Sequence, residues 1–261
     1  MPPFEMLEFS INGVDTRVLV TGQGHPVIYL HGASTLEGFG FAHGLADHLR
    51  VFCPSHPGMG LSGDAPHIAD MSDMLLHYLD LIDALALDRP PHLIGFSMGG
   101  WMAAELAGIA RERFARVVLV APAGLADPAF PPADLAAIAP QDFPAFMAHD
   151  ARIARDFFPS PGDVPACAAF GAARAREADV VARLCAPFGM RHPNLRSFLR
   201  RIANPALIVW GSEDRLLPAG QGALWQAAMP DAHLMTVPGA GHLIMQEKPE
   251  ILTHISDFLT R

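Results

Sequence analysis

The amino-acid sequence predicts an α/β fold in which a mostly parallel sheet of eight strands is flanked by helices. Short apolar runs alternate with amphipathic stretches along most of the 261-residue chain, and this alternation is typical of β-α-β units. Hydrophobic residues make up 51% of the chain, which is enough to build a sizeable core. The length suits one large α/β domain, with room for an insertion.

The first two predicted strands differ in pattern from the other six. Two alternating runs, residues 4–11 and 14–20, are joined by Asn12-Gly13, and Asn-Gly between such runs is a strong hairpin signal. We therefore expect an antiparallel hairpin at one edge of the sheet. The next five strands follow from apolar runs, as expected for buried parallel strands, over residues 27–30, 51–53, 92–96, 117–121 and 206–210. A last strand is expected over residues 233–237.

Apolar residues that recur every three or four positions predict helices between these strands. The clearest helix spans residues 70–87, and Asp70 is its expected N-terminal capping residue. Further helices are expected over residues 37–49, 98–111 and 219–229, and in a closing helix from about residue 246 or 249 to residue 259.

Residues 122–204 interrupt the alternation of strands and helices. This segment has no strong strand pattern and is rich in Ala, Arg, Phe and Pro. We interpret it as a helical cap, or lid, inserted after the sixth strand. The chain then divides into a core domain, residues 1–121 and 205–261, and a cap domain, residues 122–204.

Charge and composition exclude several classes of function. The net charge of −9 argues against nucleic-acid binding, because a surface that binds phosphates is normally basic. The sequence has no apolar run of about 18 residues, as a membrane span requires, and its N-terminus lacks a signal-peptide pattern. Three widely spaced cysteines fit a reducing compartment. We expect a cytoplasmic monomer or homodimer that acts on a small molecule, without a nucleic-acid or membrane partner.

One serine lies in a pattern that indicates nucleophilic catalysis. Gly95-Phe96-Ser97-Met98-Gly99 joins a predicted strand to a predicted helix, and G-x-S-x-G at such a junction is typical of a nucleophile elbow. A serine hydroxyl needs a base, and an acid that orients the base, before it can attack. Loops after two later strands offer both groups, because Asp214 follows one strand and His242 follows the next.

The order Ser97, Asp214, His242 resembles that of the α/β-hydrolase-fold serine hydrolases. The resemblance extends over essentially the full chain through His31-Gly32 and through the motifs at residues 57–62, 210–218 and 241–250. It implies that Ser97 attacks an acyl carbonyl, that His242 is the general base, and that Asp214 orients the imidazole. It also implies an oxyanion hole formed by the backbone N–H groups of Ala33 and Met98.

Some of these assignments have alternatives. Glu213 adjoins Asp214, and Asp127 follows the sixth strand, where some family members carry the acid. We interpret His31 as structural, with a role as base as the alternative. The sequence has no cluster with metal-ligand spacing, so we expect neither a metal site nor a cofactor.

The residues that contact the substrate are less well defined by sequence. Our candidates for the pocket are Ser34, Phe96, Phe146 and Leu243. Aromatic residues and methionines in the 122–204 segment predict an apolar, partly enclosed pocket. Among the arginines of this segment, Arg191 is the candidate for binding a substrate carboxylate.

The resemblance favours hydrolysis of a small to medium-sized apolar carboxylic ester through an acyl-enzyme intermediate. The alternative is a meta-cleavage carbon–carbon bond hydrolase, since such enzymes share the elbow motif, the Asp214-Arg215 pair and a helical cap. However, they commonly carry Asn in place of Phe96 and Trp in place of Leu243. Less favoured alternatives are a cofactor-free haloperoxidase or perhydrolase and a non-catalytic receptor on the same fold.

Overall fold

The computed structural model describes residues 3–186 and 188–261. Met1 and Pro2, part of the N-terminal sequence considered above, lie outside the described residues. The described part of the chain contains eight strands: β1 (Glu5–Ile11), β2 (Val14–Thr21), β3 (His25–Leu30), β4 (Leu49–Pro54), β5 (His92–Phe96), β6 (Val117–Val120), β7 (Ala206–Gly211) and β8 (Ala232–Val237).

All eight strands form one sheet in the order β1-β2-β4-β3-β5-β6-β7-β8. β2 pairs antiparallel with both β1 and β4, and the remaining neighbours are parallel. The turn between β1 and β2 consists of Asn12 and Gly13, which have φ angles of 50° and 79°. The predicted hairpin and the predicted mostly parallel eight-stranded sheet are therefore confirmed.

The helices of the described residues connect these strands or follow them. They are α1 (Met71–Ala84), α2 (Met98–Ile109), α3 (Phe143–Met147), α4 (Ala151–Arg155), α5 (Val164–Cys185), α6 (Leu195–Leu199), α7 (Gly220–Ala228), α8 (Ile244–Glu247) and α9 (Ile251–Thr260). α2 packs against β3, β5 and β6, and α7 packs against β7 and β8.

Burial explains why the central strands lack an alternating pattern. Every residue of β5, β6 and β7 is buried, because both faces of these strands are covered. β1 lies at the edge, and most of its residues are exposed or half-buried. The apolar runs therefore identified the buried central strands, whereas β8, at the other edge, is exposed or half-buried except at Val237.

α1 begins at the residue that its sequence predicts. The Asp70 carboxylate accepts a hydrogen bond from the Asp73 N–H at 3.0 Å, and the Asp73 carboxylate accepts one from the Ala69 N–H at 2.8 Å. Together they satisfy two backbone donors at the start of the helix, donors that have no partner within it.

The helix predicted over residues 37–49 is wrong. This region contains only a short 3₁₀ helix, Gly40–Gly44, followed by turns, and β4 already begins at Leu49. Three glycines occur within residues 37–44, and each costs about 1 kcal/mol relative to alanine in a helix. The apolar spacing in this region instead reflects burial of Phe39, Phe41 and Leu45 in the core.

The described residues of the 122–204 segment contain α3 to α6 and a 3₁₀ turn, but no strand. The end of this segment is attached to the core, because the Asn204 side-chain amide donates to the carbonyl groups of Arg111 at 3.0 Å and of Phe114 at 2.6 Å. The division into a core domain and a cap domain stays a prediction. Within the described ranges, no helix is both long and apolar enough to cross a bilayer.

Replacing Asp70 with Ala should lower the free energy of unfolding by about 1 kcal/mol, because the Asp73 N–H loses its acceptor. Asp70→Ser retains an acceptor oxygen and should recover most of the loss. Urea denaturation of both variants provides the measurement. Equal stability of Asp70→Ala and the unmodified protein would contradict the assigned role of Asp70.

Candidate active site

Ser97 occupies a tight turn between β5 and α2. It has φ 53° and ψ −118°, a conformation that costs a non-glycine residue free energy and persists only where neighbouring contacts hold it. Here the Ser97 N–H donates to the Val120 carbonyl at 2.9 Å. The Ser97 carbonyl accepts from the N–H groups of Gly100, Trp101 and Ala123. The serine is half-buried, and its role as nucleophile stays a prediction.

Gly99 shows why this turn needs glycine after the serine. A Cβ at Gly99 would lie 2.1 Å from the Leu30 carbonyl oxygen and 2.3 Å from the His31 carbonyl oxygen. Both distances are far below van der Waals contact, and the opposing atoms belong to backbone. The first turn of α2 therefore lies directly against the end of β3, and this contact brings Ser97 to the loop after β3.

His242 and Asp214 form a buried pair. Nδ1 of His242 lies 2.8 Å from Oδ2 of Asp214, and the two residues are 4% and 7% exposed. Since an ionised carboxylate only accepts hydrogen bonds, Nδ1 carries the proton and Nε2 is left as the acceptor nitrogen. The other carboxylate oxygen accepts from the N–H groups of Leu216 and Leu217, each at 2.9 Å, which fixes the orientation of Asp214.

The alternative acids lie elsewhere. The Glu213 carboxylate is exposed and accepts from the Ser212 hydroxyl at 3.1 Å. Asp127 pairs with Arg196 at 3.3 Å. Of the three candidate acids, the structure brings only Asp214 to His242.

The structure shows no direct hydrogen bond between Ser97 and His242. The ring of Phe96, the residue before Ser97, is 4.9 Å from the imidazole of His242 between centroids. The Ser97 hydroxyl makes no hydrogen bond to any residue that the structure describes. Catalytic hydrogen bonds are often long before substrate binds, so the Ser97–His242 bond stays a prediction.

The two predicted oxyanion donors make no hydrogen bond to the protein within the described residues. The backbone N–H groups of Met98, at the start of α2, and of Ala33, in the loop after β3, bond to no acceptor among the described residues. Met98 is fully buried, and buried N–H groups without a partner are rare in proteins. These two free donors are consistent with an oxyanion hole, a role that stays a prediction.

His31 and His56 use their ring nitrogens in structural hydrogen bonds. Nε2 of His31 accepts from the His56 N–H at 2.9 Å, and its Nδ1 lies 2.9 Å from the Gly32 carbonyl. The His56 ring bonds to the His31 carbonyl and to the Tyr78 hydroxyl. Burial lowers the pKa of His31 to about 4 and also lowers that of His56. Both rings are therefore neutral at pH 7, and this bonding supports the structural interpretation of His31.

The predicted pocket residues have different surroundings. Phe96 is 4% exposed and contacts His242, while Ser34 and Phe146 are half-buried. Leu243 is completely buried, and its N–H donates to the Met147 carbonyl at 2.9 Å. Leu243 therefore exposes no surface to an open pocket, whereas the roles of the other three stay predictions.

An open cleft of about 890 Å³ lies within the 122–204 segment. Arg191 lies in the wall of this cleft, but Nε of Arg191 donates to the Phe188 carbonyl at 2.8 Å. The other residues that line the cleft are mostly apolar: Leu125, Ala126, Asp127, Pro128, residues 131–135 and residues 188–190.

The sequence did not identify Glu37 as part of this region. Glu37 is 9% exposed, its Oε1 has no hydrogen-bond partner among the described residues, and burial raises its pKa from 4.5 to about 7. A hydrogen bond from its own backbone N–H and the positive charge of Arg174 oppose this rise, while the negative charge of Glu177 adds to it. In the sequence, Glu37 lies at the start of the helix predicted over residues 37–49. Nothing in that pattern indicated that its side chain is buried.

Comparison with known proteins identifies a family. The family model described as "Alpha/beta hydrolase family" matches residues 27–253. The chain is 30% identical, over 87% of its length, to the dihydrolipoyllysine-residue acetyltransferase component of the acetoin cleaving system of Pseudomonas putida, and it spans 61% of that protein. The chain therefore spans less than two thirds of the length of this relative.

Two further relatives match along most of both chains. The pimeloyl-[acyl-carrier protein] methyl ester esterase of Aeromonas salmonicida is 29% identical, with 90% of this chain and 94% of the esterase covered. The 2-hydroxy-6-oxo-6-(2'-aminophenyl)hexa-2,4-dienoic acid hydrolase of Metapseudomonas resinovorans is 28% identical, with 97% and 90% covered.

The fold is also similar to that of solved structures. A membrane phospholipase A described as a bacterial virulence factor superimposes with a TM-score of 0.82 at 21% identity, over 98% of this chain and 86% of the phospholipase. At that identity the similarity concerns the fold alone.

The raised pKa of Glu37 predicts a pH dependence of stability. The folded protein binds the Glu37 proton more tightly than the unfolded chain, so its contribution to stability is complete below pH 4.5 and is lost as pH rises to about 7. Relative to Glu37→Gln, the unmodified protein should lose stability between about pH 5 and about pH 8.

Guanidinium denaturation of both proteins across this range measures the effect. Glu112→Gln, at an exposed position, serves as the control and should follow the profile of the unmodified protein. Parallel profiles for Glu37→Gln and the unmodified protein would show that Glu37 is ionised in the folded state.

Proposed function

The chain belongs to the alpha/beta hydrolase family, and from this membership we propose that it is a serine hydrolase that cleaves a small to medium-sized apolar carboxylic ester. We assign Ser97 as nucleophile, His242 as general base and Asp214 as the residue that orients His242. The observation that carries this proposal is the buried His242–Asp214 pair, 2.8 Å apart, beside an elbow with Ser97 at its tip.

The proposed reaction has two stages. In the first, Ser97 Oγ attacks the carbonyl carbon of the ester while its proton passes to Nε2 of His242. The oxyanion of the tetrahedral intermediate accepts from the N–H groups of Ala33 and Met98. The intermediate then collapses, the carbon–oxygen bond to the alcohol breaks, and His242 returns the proton to the departing alcohol.

The second stage releases the acid. A water molecule attacks the acyl carbon, and His242 again accepts the proton. The bond to Ser97 Oγ breaks, Oγ recovers the proton, and the carboxylic acid leaves. Asp214 keeps the proton of His242 on Nδ1 throughout, so that Nε2 faces the reacting atoms, and it stabilises the imidazolium.

Two observations favour an ester over a carbon–carbon bond as the target. Phe96 places an apolar ring against His242, at the position where meta-cleavage enzymes commonly carry Asn. The position after His242 holds the completely buried Leu243 rather than Trp. The apolar ring of Phe96 suits an apolar ester. Of the two relatives that match along most of both chains, one carries the name of a methyl ester esterase and the other that of a hexa-2,4-dienoic acid hydrolase.

The direct test compares substrates on the purified protein. We expect turnover of p-nitrophenyl esters of graded acyl length, covalent labelling by a fluorophosphonate probe, and loss of both in Ser97→Ala. Preferential turnover of a vinylogous 1,5-diketone of the meta-cleavage type would favour the alternative named above. An unmodified protein that the probe does not label would refute the proposed serine chemistry.

Asp214→Asn and Glu213→Gln form a matched pair of variants. Asn at position 214 would turn a donor toward Nδ1 of His242 and favour the wrong tautomer, so we expect kcat to fall by about 10⁴-fold with little change in KM. Glu213→Gln alters an exposed side chain and should leave kcat unchanged. A large fall in kcat for Glu213→Gln alone would transfer the acid role to Glu213.

A further inference from the structure

A buried carboxylate on α5 contacts the loop that follows β3. Glu177 is 2% exposed and accepts hydrogen bonds from the Thr35 hydroxyl at 2.7 Å and from the Thr35 N–H at 3.2 Å. Glu177 also accepts from the Gly60 N–H at 3.3 Å, and Nη1 of Arg174 lies 2.9 Å from Oε2 of Glu177. A buried carboxylate is tolerated only when it is paired and hydrogen-bonded in this way.

These contacts link three parts of the chain. α5 belongs to the 122–204 segment, Thr35 belongs to the loop after β3, and Gly60 belongs to the loop after β4. The two loops are also in contact, because a Cβ added at Gly60 would lie only 2.9 Å from Cγ2 of Thr35. Gly60 also has a φ angle of 50°, which favours glycine. Glu177 therefore binds the point where the two loops meet.

Thr35 lies two residues after Ala33, whose N–H is a proposed oxyanion donor. Two residues extend the chain by at most about 7 Å, so a fixed Thr35 restrains Ala33. Arg174 strengthens the restraint, since its Nη2 donates to the Thr35 hydroxyl at 3.3 Å while its guanidinium lies over the Phe170 ring at 5.4 Å.

We propose that Glu177 is a positioning residue that holds the loop after β3 so that the Ala33 N–H points at the oxyanion. This inference rests on the serine-hydrolase function proposed above. Oxyanion donors stabilise the transition state because they are held in place before the charge develops. Glu177 therefore makes the orientation of the Ala33 donor depend on where α5 lies, and it does so without touching the substrate.

A salt bridge on the same helix provides a matched control. Arg176 donates to the Asp64 carboxylate at 2.7 Å and to the Ser62 carbonyl at 2.7 Å. Asp64 is exposed, and its contact ties α5 to the loop after β4 without involving Thr35. Asp64→Asn therefore weakens attachment of the helix while leaving the Glu177–Thr35 contact intact.

The test measures kcat and KM for a p-nitrophenyl ester and the inhibition constant of a trifluoromethyl ketone, which forms a tetrahedral adduct. Active sites are titrated, so that loss of folded protein is not counted as loss of rate. In Glu177→Gln, a side-chain N–H₂ group, which can only donate, can replace the carboxylate oxygen that accepts from the Thr35 hydroxyl and the Gly60 N–H. We expect kcat to fall by about 10- to 100-fold and the inhibition constant to rise by a similar factor, with KM nearly unchanged.

Asp64→Asn should keep the kcat of the unmodified protein. A Glu177→Gln variant that loses only thermal stability, or that matches Asp64→Asn in both kinetic constants, would overturn the proposal. If Glu177→Gln does not fold, Thr35→Val and Thr35→Ser decide the question. We expect a reduced kcat in Thr35→Val and recovery in Thr35→Ser, which retains the hydroxyl. Equal kcat in both variants would overturn the positioning role.

Fluorophosphonate labelling of the unmodified protein separates the two levels of the proposal. Absence of labelling there would refute the serine-hydrolase function, and with it the role of Glu177. Normal labelling of the unmodified protein together with unchanged kcat in Glu177→Gln would refute the positioning role alone.

Discussion

The close approach of α2 to the end of β3 constrains the whole candidate site. Gly99 leaves no room for a side chain against the Leu30 and His31 carbonyl groups, and Ser97 adopts a positive φ angle at the same turn. The strain at Ser97 is held by backbone hydrogen bonds to β6 and to the segment that follows it. One local contact thus places the proposed nucleophile beside the loop that carries Ala33, and the parallel strands bring the loops after β7 and β8 to the same edge of the sheet.

Hydrogen-bonded carboxylates then fix the loops around this turn. Asp214 accepts from the backbone N–H groups of Leu216 and Leu217 and from His242. Glu247, which is half-buried, joins the loop after β8 to the 122–204 segment, because its carboxylate accepts from the Gly241 N–H at 2.6 Å and from the Asp150 N–H at 2.8 Å. The loop of the proposed base is therefore attached to the 122–204 segment, and Glu177 attaches the loop after β3 to that segment in the same manner.

The sequence predicted the elements in which local pattern and final environment agree. The hairpin at Asn12-Gly13, the start of α1 at Asp70 and the buried strands were all recognisable, because each depends on residues adjacent in the chain. The helix predicted over residues 37–49 failed because buried apolar residues in an irregular segment imitate helical spacing. Glu177 and Glu37 could not be found from sequence, since their significance depends on partners far away in the chain, as with Thr35 for Glu177.

In the proposed reaction, Ser97 becomes acylated during turnover. The most direct measurement is peptide mass spectrometry after a rapid acid quench of the protein with an excess of a p-nitrophenyl ester. We expect a peptide containing Ser97 whose mass has increased by that of the acyl group, formed before steady state and absent from Ser97→Ala. Ester turnover with no acyl adduct, or with the adduct on another residue, would contradict this expectation.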